Sequence, residues 1–138
     1  MALKLEIITP EKLVFKGIVD YVVLPTTMGE VGILEEHIPL LVMIKPGELQ
    51  ITQGKNKESI AVDKGFGRVK GNTVSVLTEA AINIKEIDLS LVEEAEDRAL
   101  RALKEAKEKQ MTDPTEIEKL EAITRFSIAQ KVAKNRRL

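Results

Sequence analysis

The hydrophobic period of this chain changes once, near Ile87, and that change divides what it can fold into. Before it, glycines and prolines punctuate runs in which apolar and polar residues alternate. From Asp88 onward there is no glycine, and the one proline, Pro114, stands at a helix start. Alternation with period two marks a half-buried strand. Leu3-Lys4-Leu5-Glu6-Ile7-Ile8-Thr9 has it, and Pro10-Glu11-Lys12 turns the chain. Leu13 to Phe15 and Gly17 to Leu24 are further apolar runs, which Pro25 is expected to close. After an irregular crossover through Gly29 and Gly32, Ile38 to Ile44 is apolar again and Lys45-Pro46-Gly47 turns. Leu49-Gln50-Ile51 and Ile60-Ala61-Val62 flank a polar loop as a hairpin, and Gly65 to Val69 pairs with Thr73 to Thr78 across Gly71-Asn72. Many short strands between Gly and Pro turns predict a sandwich or barrel.

Beyond Ile87 the period is helical. Asp88 is an N-cap residue, with Ser90 and Glu93 spaced as a capping box one step later. Leu91, Val92, Ala95, Ala99, Ala102, Leu103 and Ala106 fall within an arc of roughly 120° at helical spacing. Gln110-Met111-Thr112 is a break, and Asp113-Pro114-Thr115-Glu116 restarts a helix with Asp as cap and Pro in the first position. So short a break predicts an antiparallel pair. In the second helix Ala122, Phe126, Ala129 and Ala133 make one stripe, while Ile117, Ile128 and Val132 point away from it. Those extra apolar residues either rest on the β domain or have a second, alternative partner. The expected fold is therefore α+β: a two-sheet β-sandwich or barrel over residues 1–86, then an antiparallel two-helix hairpin over 87–138.

The chemistry is mostly exclusion. Among 138 residues there is no cysteine and one histidine, which leaves no thiolate nucleophile, no disulfide framework and no ordinary zinc or iron site. His37 has no Ser-His-Asp or metal-ligand spacing around it, and Gly65-Phe66-Gly67 lacks the lysine and helix of a phosphate loop. No enzyme is expected. Net charge is −1 and aromatics are only 3%, so nothing favours nucleic acid. No segment reads as a signal peptide, and no apolar run approaches the roughly 20 residues that span a bilayer. The chain is expected to face the cytosol and to meet a membrane only through a partner, without inserting. From Arg125 on, Arg125, Lys131, Lys134, Arg136 and Arg137 have no acid among them. That is either a solvated helix end or a docking surface for acidic groups.

One stretch carries more. The order Gly29-Glu30-Val31-Gly32-Ile33-Leu34, then His37, Pro39 and Leu40, resembles the signature of the ε subunit of F-type ATP synthases. Thr9-Pro10, Gly65-Phe66-Gly67, Thr73 to Leu77 and the hairpin with Arg125-Phe126-Ser127-Ile128-Ala129 are similar to that family in order along nearly the whole chain. The resemblance implies a non-catalytic rotor subunit of a proton- or sodium-translocating enzyme. Its β domain would bind the γ subunit and the c-ring. Its hairpin would either fold back or extend along γ towards the α and β catalytic subunits, restraining ATP hydrolysis. It implies a c-ring contact at Glu30, a γ-interface position at His37, and a peripheral place at the cytoplasmic face of a bacterial cell membrane. Some members bind ATP through Ile-Asp-x-x-Arg-Ala at the first helix. Here Ile87-Asp88 stays, and Arg98 and Arg125 match other pocket arginines. Leu91, Val92, Ile82 and Glu121 replace the rest, so weak ATP binding or none is expected, and no other cofactor. A reading from the residues alone remains beside this one: a free β-sandwich module for a small ligand, with a helical lid.

Overall fold

The computed structural model describes residues 3–36, 38–109 and 113–135. Ten strands come first: β1 Leu3–Ile8, β2 Leu13–Val19, β3 Tyr21–Thr26, β4 Gly29–Ile33, β5 Leu40–Ile44, β6 Gly47–Gln53, β7 Asn56–Val62, β8 Gly65–Lys70, β9 Thr73–Thr78 and β10 Ala81–Asn83. A single 3-10 turn, Ile84–Glu86, leads to α1 Leu89–Glu108 and α2 Pro114–Asn135. The strand order is β10-β7-β6-β3-β5-β8-β9-β1-β2, with β4 added beside β3. β3 and β5 share only the Thr26–Ile44 pair, so the sheet folds there into two leaves. The far edge returns over the first leaf, where Gln53 donates through Nε2 to the Ile18 carbonyl at 2.8 Å. This is a near-closed β-sandwich followed by two helices, as the alternation predicted.

The core lies between the leaves. Leu3, Leu5, Ile7, Val42, Ile44, Val69, Val74 and Val76 from one meet Val22, Leu24, Leu49, Ile51, Ile60 and Val62 from the other, all buried. Alternate residues along each strand supply them, which is why Lys4, Glu6 and Ile8 between Leu3, Leu5 and Ile7 point outward. One pairing is parallel: β1 runs alongside β9, Leu5 opposite Val74. Two glycines are needed for close approach. A methyl group on Gly65 would fall 1.9 Å from the Leu77 carbonyl oxygen, and one on Gly32 would fall 2.2 Å from the Tyr21 hydroxyl.

Two local expectations change. The Gly29–Gly32 stretch is not an irregular crossover but β4, antiparallel to β3 from Gly29–Thr26 to Ile33–Val22. The Gly29 φ of 105° turns the chain into it, and Pro39 lies before β5, where no ladder amide is needed. Pro25 does not close β3 but lies within it, buried and opposite Glu30.

In the hairpin, Asp88 caps α1 by accepting from the Ser90 amide at 3.0 Å, one step earlier than the capping box. The Asp113 carboxylate accepts from the Thr115 amide at 3.0 Å at the start of α2. Val92, Ala99 and Ala106 of the α1 stripe are buried, but Leu91 is exposed. α2, packed along α1, rests on β6, β7 and the 3-10 turn. Its buried residues there are Ala129 and Ala133, with Phe126 partly covered. Each alanine methyl brings only about 0.8 kcal/mol by area. Ile128 and Val132 are 51% and 54% exposed and border an open hollow with Pro46 and Gly47 at the start of β6.

Candidate protein–protein interface

The outer faces of the two leaves have different fates. α2 covers β6 and β7, while the face of β5, β8, β9 and β1 is bare. Outward positions repeat every second residue, so the register decides which side chains line up across strands. Leu13 stands opposite Ile8, Ile8 opposite Leu77, Leu77 opposite Phe66, and Phe66 opposite Met43. This apolar row crosses five strands, and Met43, Phe66 and Leu77 are each at least half exposed. Beside it an open hollow of about 590 Å³ includes Thr9, Pro10, Gly65 and Glu79. The next row is polar: Lys16, Glu6, Ser75, Arg68, with Leu41 at its end. Ser75 donates its hydroxyl to Glu6 at 2.8 Å. An apolar row with a charged flank is the arrangement of a protein-binding surface.

Glu30 follows the β3–β4 turn and is exposed. The turn is held by the Thr26 hydroxyl, which donates to the Gly29 carbonyl at 2.6 Å and accepts from the Met28 amide. Met28 at its tip is 80% exposed. His37 lies outside the described residues. Before it, Glu36 has a φ of 59° and donates its amide to the Asn72 side chain at 2.9 Å.

The three residues considered for a nucleotide do not share a pocket. Asp88 is occupied by the Ser90 amide and hydroxyl, and those bonds hold its carboxyl below the usual aspartate value. Arg98 is exposed and borders a shallow hollow with Glu94, Asp97 and Arg101. Arg125 lines a different one, with Pro46, Gly47, Leu103, Glu121 and Ile128. Its guanidinium is already engaged: Nε donates to Asp63 Oδ1 at 2.6 Å, Nη2 to Asp63 Oδ2 at 3.0 Å, and Nη2 also to Glu79 at 3.2 Å. The Asp63 hydrogen bonds raise the Arg125 pKa further above its ordinary value, against the opposing effect of burial.

The basic end of α2 therefore meets acids from other elements. Lys131 donates to Glu96 of α1 at 2.7 Å, and that bond raises the lysine's pKa. Lys134 donates to the Ile84 carbonyl at 3.2 Å. Arg136 and Arg137 lie outside the described residues. Asp63 and Glu79 were not legible as site residues. An acid after an apolar strand reads as a turn residue, and nothing in the spacing ties Asp63 to a helix 62 positions later. Among the described residues no group of acids and histidines could hold a metal ion, and no helix is long and apolar enough to cross a membrane.

The family model described as the β-sandwich domain of the ATP synthase Delta/Epsilon chain matches residues 2–84. Curated relatives agree over a longer span. The ATP synthase epsilon chain of Syntrophobacter fumaroxidans is 37% identical over 129 residues, 94% of this chain and 96% of that one. That of Carboxydothermus hydrogenoformans is 44% identical over 107 residues, 78% of this chain and 75% of that one. Among solved structures, a chain of the Euglena gracilis mitochondrial ATP synthase has a similar fold, with a TM-score of 0.71 at 20% identity, covering 95% of this chain and 80% of that one.

Proposed function

The chain belongs to the ATP synthase delta/epsilon chain family, and from that premise we propose that it is a non-catalytic central-stalk subunit of an ion-translocating F-type ATP synthase. Its β domain joins γ to the c-ring, and its hairpin is able to leave the β domain and restrain ATP hydrolysis. The carrying observation is the bare apolar row Leu13–Ile8–Leu77–Phe66–Met43, which γ would cover. A rotor subunit transmits torque through a packed surface and needs no reacting group. Glu30, exposed in β4 just after the β3–β4 turn, is the c-ring contact, and His37 a γ contact. The two helix faces of α2 motivate the brake: Ala129 and Ala133 are buried, while Ile128 and Val132 are only about half covered. In the extended state Lys131, Lys134, Arg136 and Arg137 would face acidic groups of the catalytic subunits. The complex would hold the chain peripherally, on the cytoplasmic side of a bacterial membrane. ATP is not expected to set the balance, since Asp88 and Arg125 are engaged by Ser90 and by Asp63 and Glu79, and Arg98 lies in a separate hollow.

Pull-down by purified γ tests the face. Phe66→Glu places a charge in the apolar row and is expected to weaken capture by about 30-fold or more, the loss of one central anchor. The fragment 1–86 should stay folded and still bind γ, and complexes built with it should hydrolyse ATP faster. Undiminished capture of the Phe66 variant would remove this face from the γ interface. Unchanged hydrolysis with the fragment would leave a coupling subunit without a brake.

A further inference from the structure

Beside the apolar seam around Ala61 and Ala133, one polar contact between the hairpin and the β domain is built to a high specification. Asp63 and Glu79 lie on neighbouring turns, β7–β8 and β9–β10. The turns are stitched together by the Asp63 amide to the Ala80 carbonyl at 2.9 Å and the Glu79 amide to the Lys64 carbonyl at 3.1 Å. The Thr78 hydroxyl, donating to the Asp63 carbonyl at 2.8 Å, fixes the same corner. The two turns that carry these acids are thus joined by bonds in which the helices take no part. Asp63 is only 2% exposed, and its carboxylate otherwise accepts from the Lys64 amide at 2.8 Å. α2 brings the planar fork of Arg125 onto both its oxygens, and the second arm of that fork reaches Glu79. A two-point guanidinium–carboxylate bond is directional and stronger than a neutral pair. With one member shielded from water, removing either leaves the other poorly satisfied.

We propose that Arg125, Asp63 and Glu79 form an ionic clasp that holds the folded-back hairpin on the β domain, the acids filling the guanidinium where a soluble anion would otherwise be its counter-ion. The clasp is the element whose opening sets how readily α2 leaves. Lys131–Glu96 has a different role, since it ties the two helices to each other and would travel with them. This inference rests on the reading that the hairpin can leave, and it adds what retains it.

Hydrogen exchange on the full chain tests it in the absence of other subunits. Arg125→Gln should speed exchange of α2 amides by about tenfold or more, with β1 and β9 unchanged as the internal reference. Asp63→Asn should do the same. The double variant should be no looser than the looser single, because the two groups act through each other. If Asp63→Asn also loosens β1 and β9, it has disturbed the turn, and Arg125→Gln alone decides. The proposal is overturned if Arg125→Gln leaves α2 within about twofold of the parent, or if the single effects add fully in the double variant. Hydrolysis by the assembled complex is a separate readout: a loosened α2 with unchanged hydrolysis keeps the clasp and removes the brake.

Discussion

The core between the leaves and the seam beneath the hairpin are made from different residues, and they resist change differently. The core is Leu, Ile and Val drawn from both leaves, with Leu3, Leu5, Leu24, Leu49 and Val62 at 0% exposure. The seam joins Ala61, Ile84, Ile87, Val92 and Ala133, with Ile82, Leu89 and Phe126 half covered. Large side chains locked from two sides make a body that stands or falls as a unit. In the seam the large side chains come mainly from the 3-10 turn and the start of α1, while α2 adds Ala133 and the partly covered Phe126, with the Arg125 ion pair beside them.

The sharpest test is to damage the core alone. Leu5→Ala should cost about 2–5 kcal/mol and lower the urea midpoint of the whole chain, hairpin included. If the midpoint hardly moves, the β domain is not the unit described. Next is the seam: Ala133→Leu overfills it, at about 1–3 kcal/mol. Limited proteolysis should then cut α2 sooner while β-domain unfolding stays in place. A parallel fall in both would make the two regions one.

Smaller effects separate ties within the hairpin from ties across the boundary. Glu96→Gln removes a partly exposed pair between helices and should cost about 0.5 kcal/mol, seen as a slight loss of helix signal on heating. The smallest effect is at the cap. Because the Asp88 carboxyl is held below its unfolded value, its stabilisation is complete above about pH 4 and is lost as pH falls through the lowered folded value. Acid titration by circular dichroism should show a helix loss confined to below about pH 4 that Asp88→Ala abolishes.

Much of this was legible because it is local. Leu3 to Ile8 alternates and forms a strand with alternate burial, and Asp88 and Asp113 cap the helices they precede. β4 was hidden because Gly29 and Gly32 read as turn residues, whereas Gly32 is small to admit the Tyr21 ring. The sorting of α2's apolar residues into buried Ala129 and half-exposed Ile128 depends on where β6 and β7 lie, which periodicity does not contain. The basic residues of α2 read as unopposed for the same reason. Asp63, Glu79 and Glu96 are distant in sequence, and only the tertiary fold brings them to Arg125 and Lys131.

The parallel pairing of β1 with β9 has a consequence in time. Glu6 and Ser75 touch across 69 positions, so the first strand made must wait for almost the last. At about 5–20 residues per second of synthesis, that wait is roughly 3–14 s, far longer than any hairpin needs to form. Until then β1 has only β2, and its other edge offers unpaired amides and carbonyls to any passing strand. The ring of strands closes on its longest loop, a slow and exposed step set by contact order. The helices, whose contacts with each other are close in sequence, follow on the ribosome and take no part in that closure. A nascent chain stalled before Thr73 is therefore the species in most need of a chaperone.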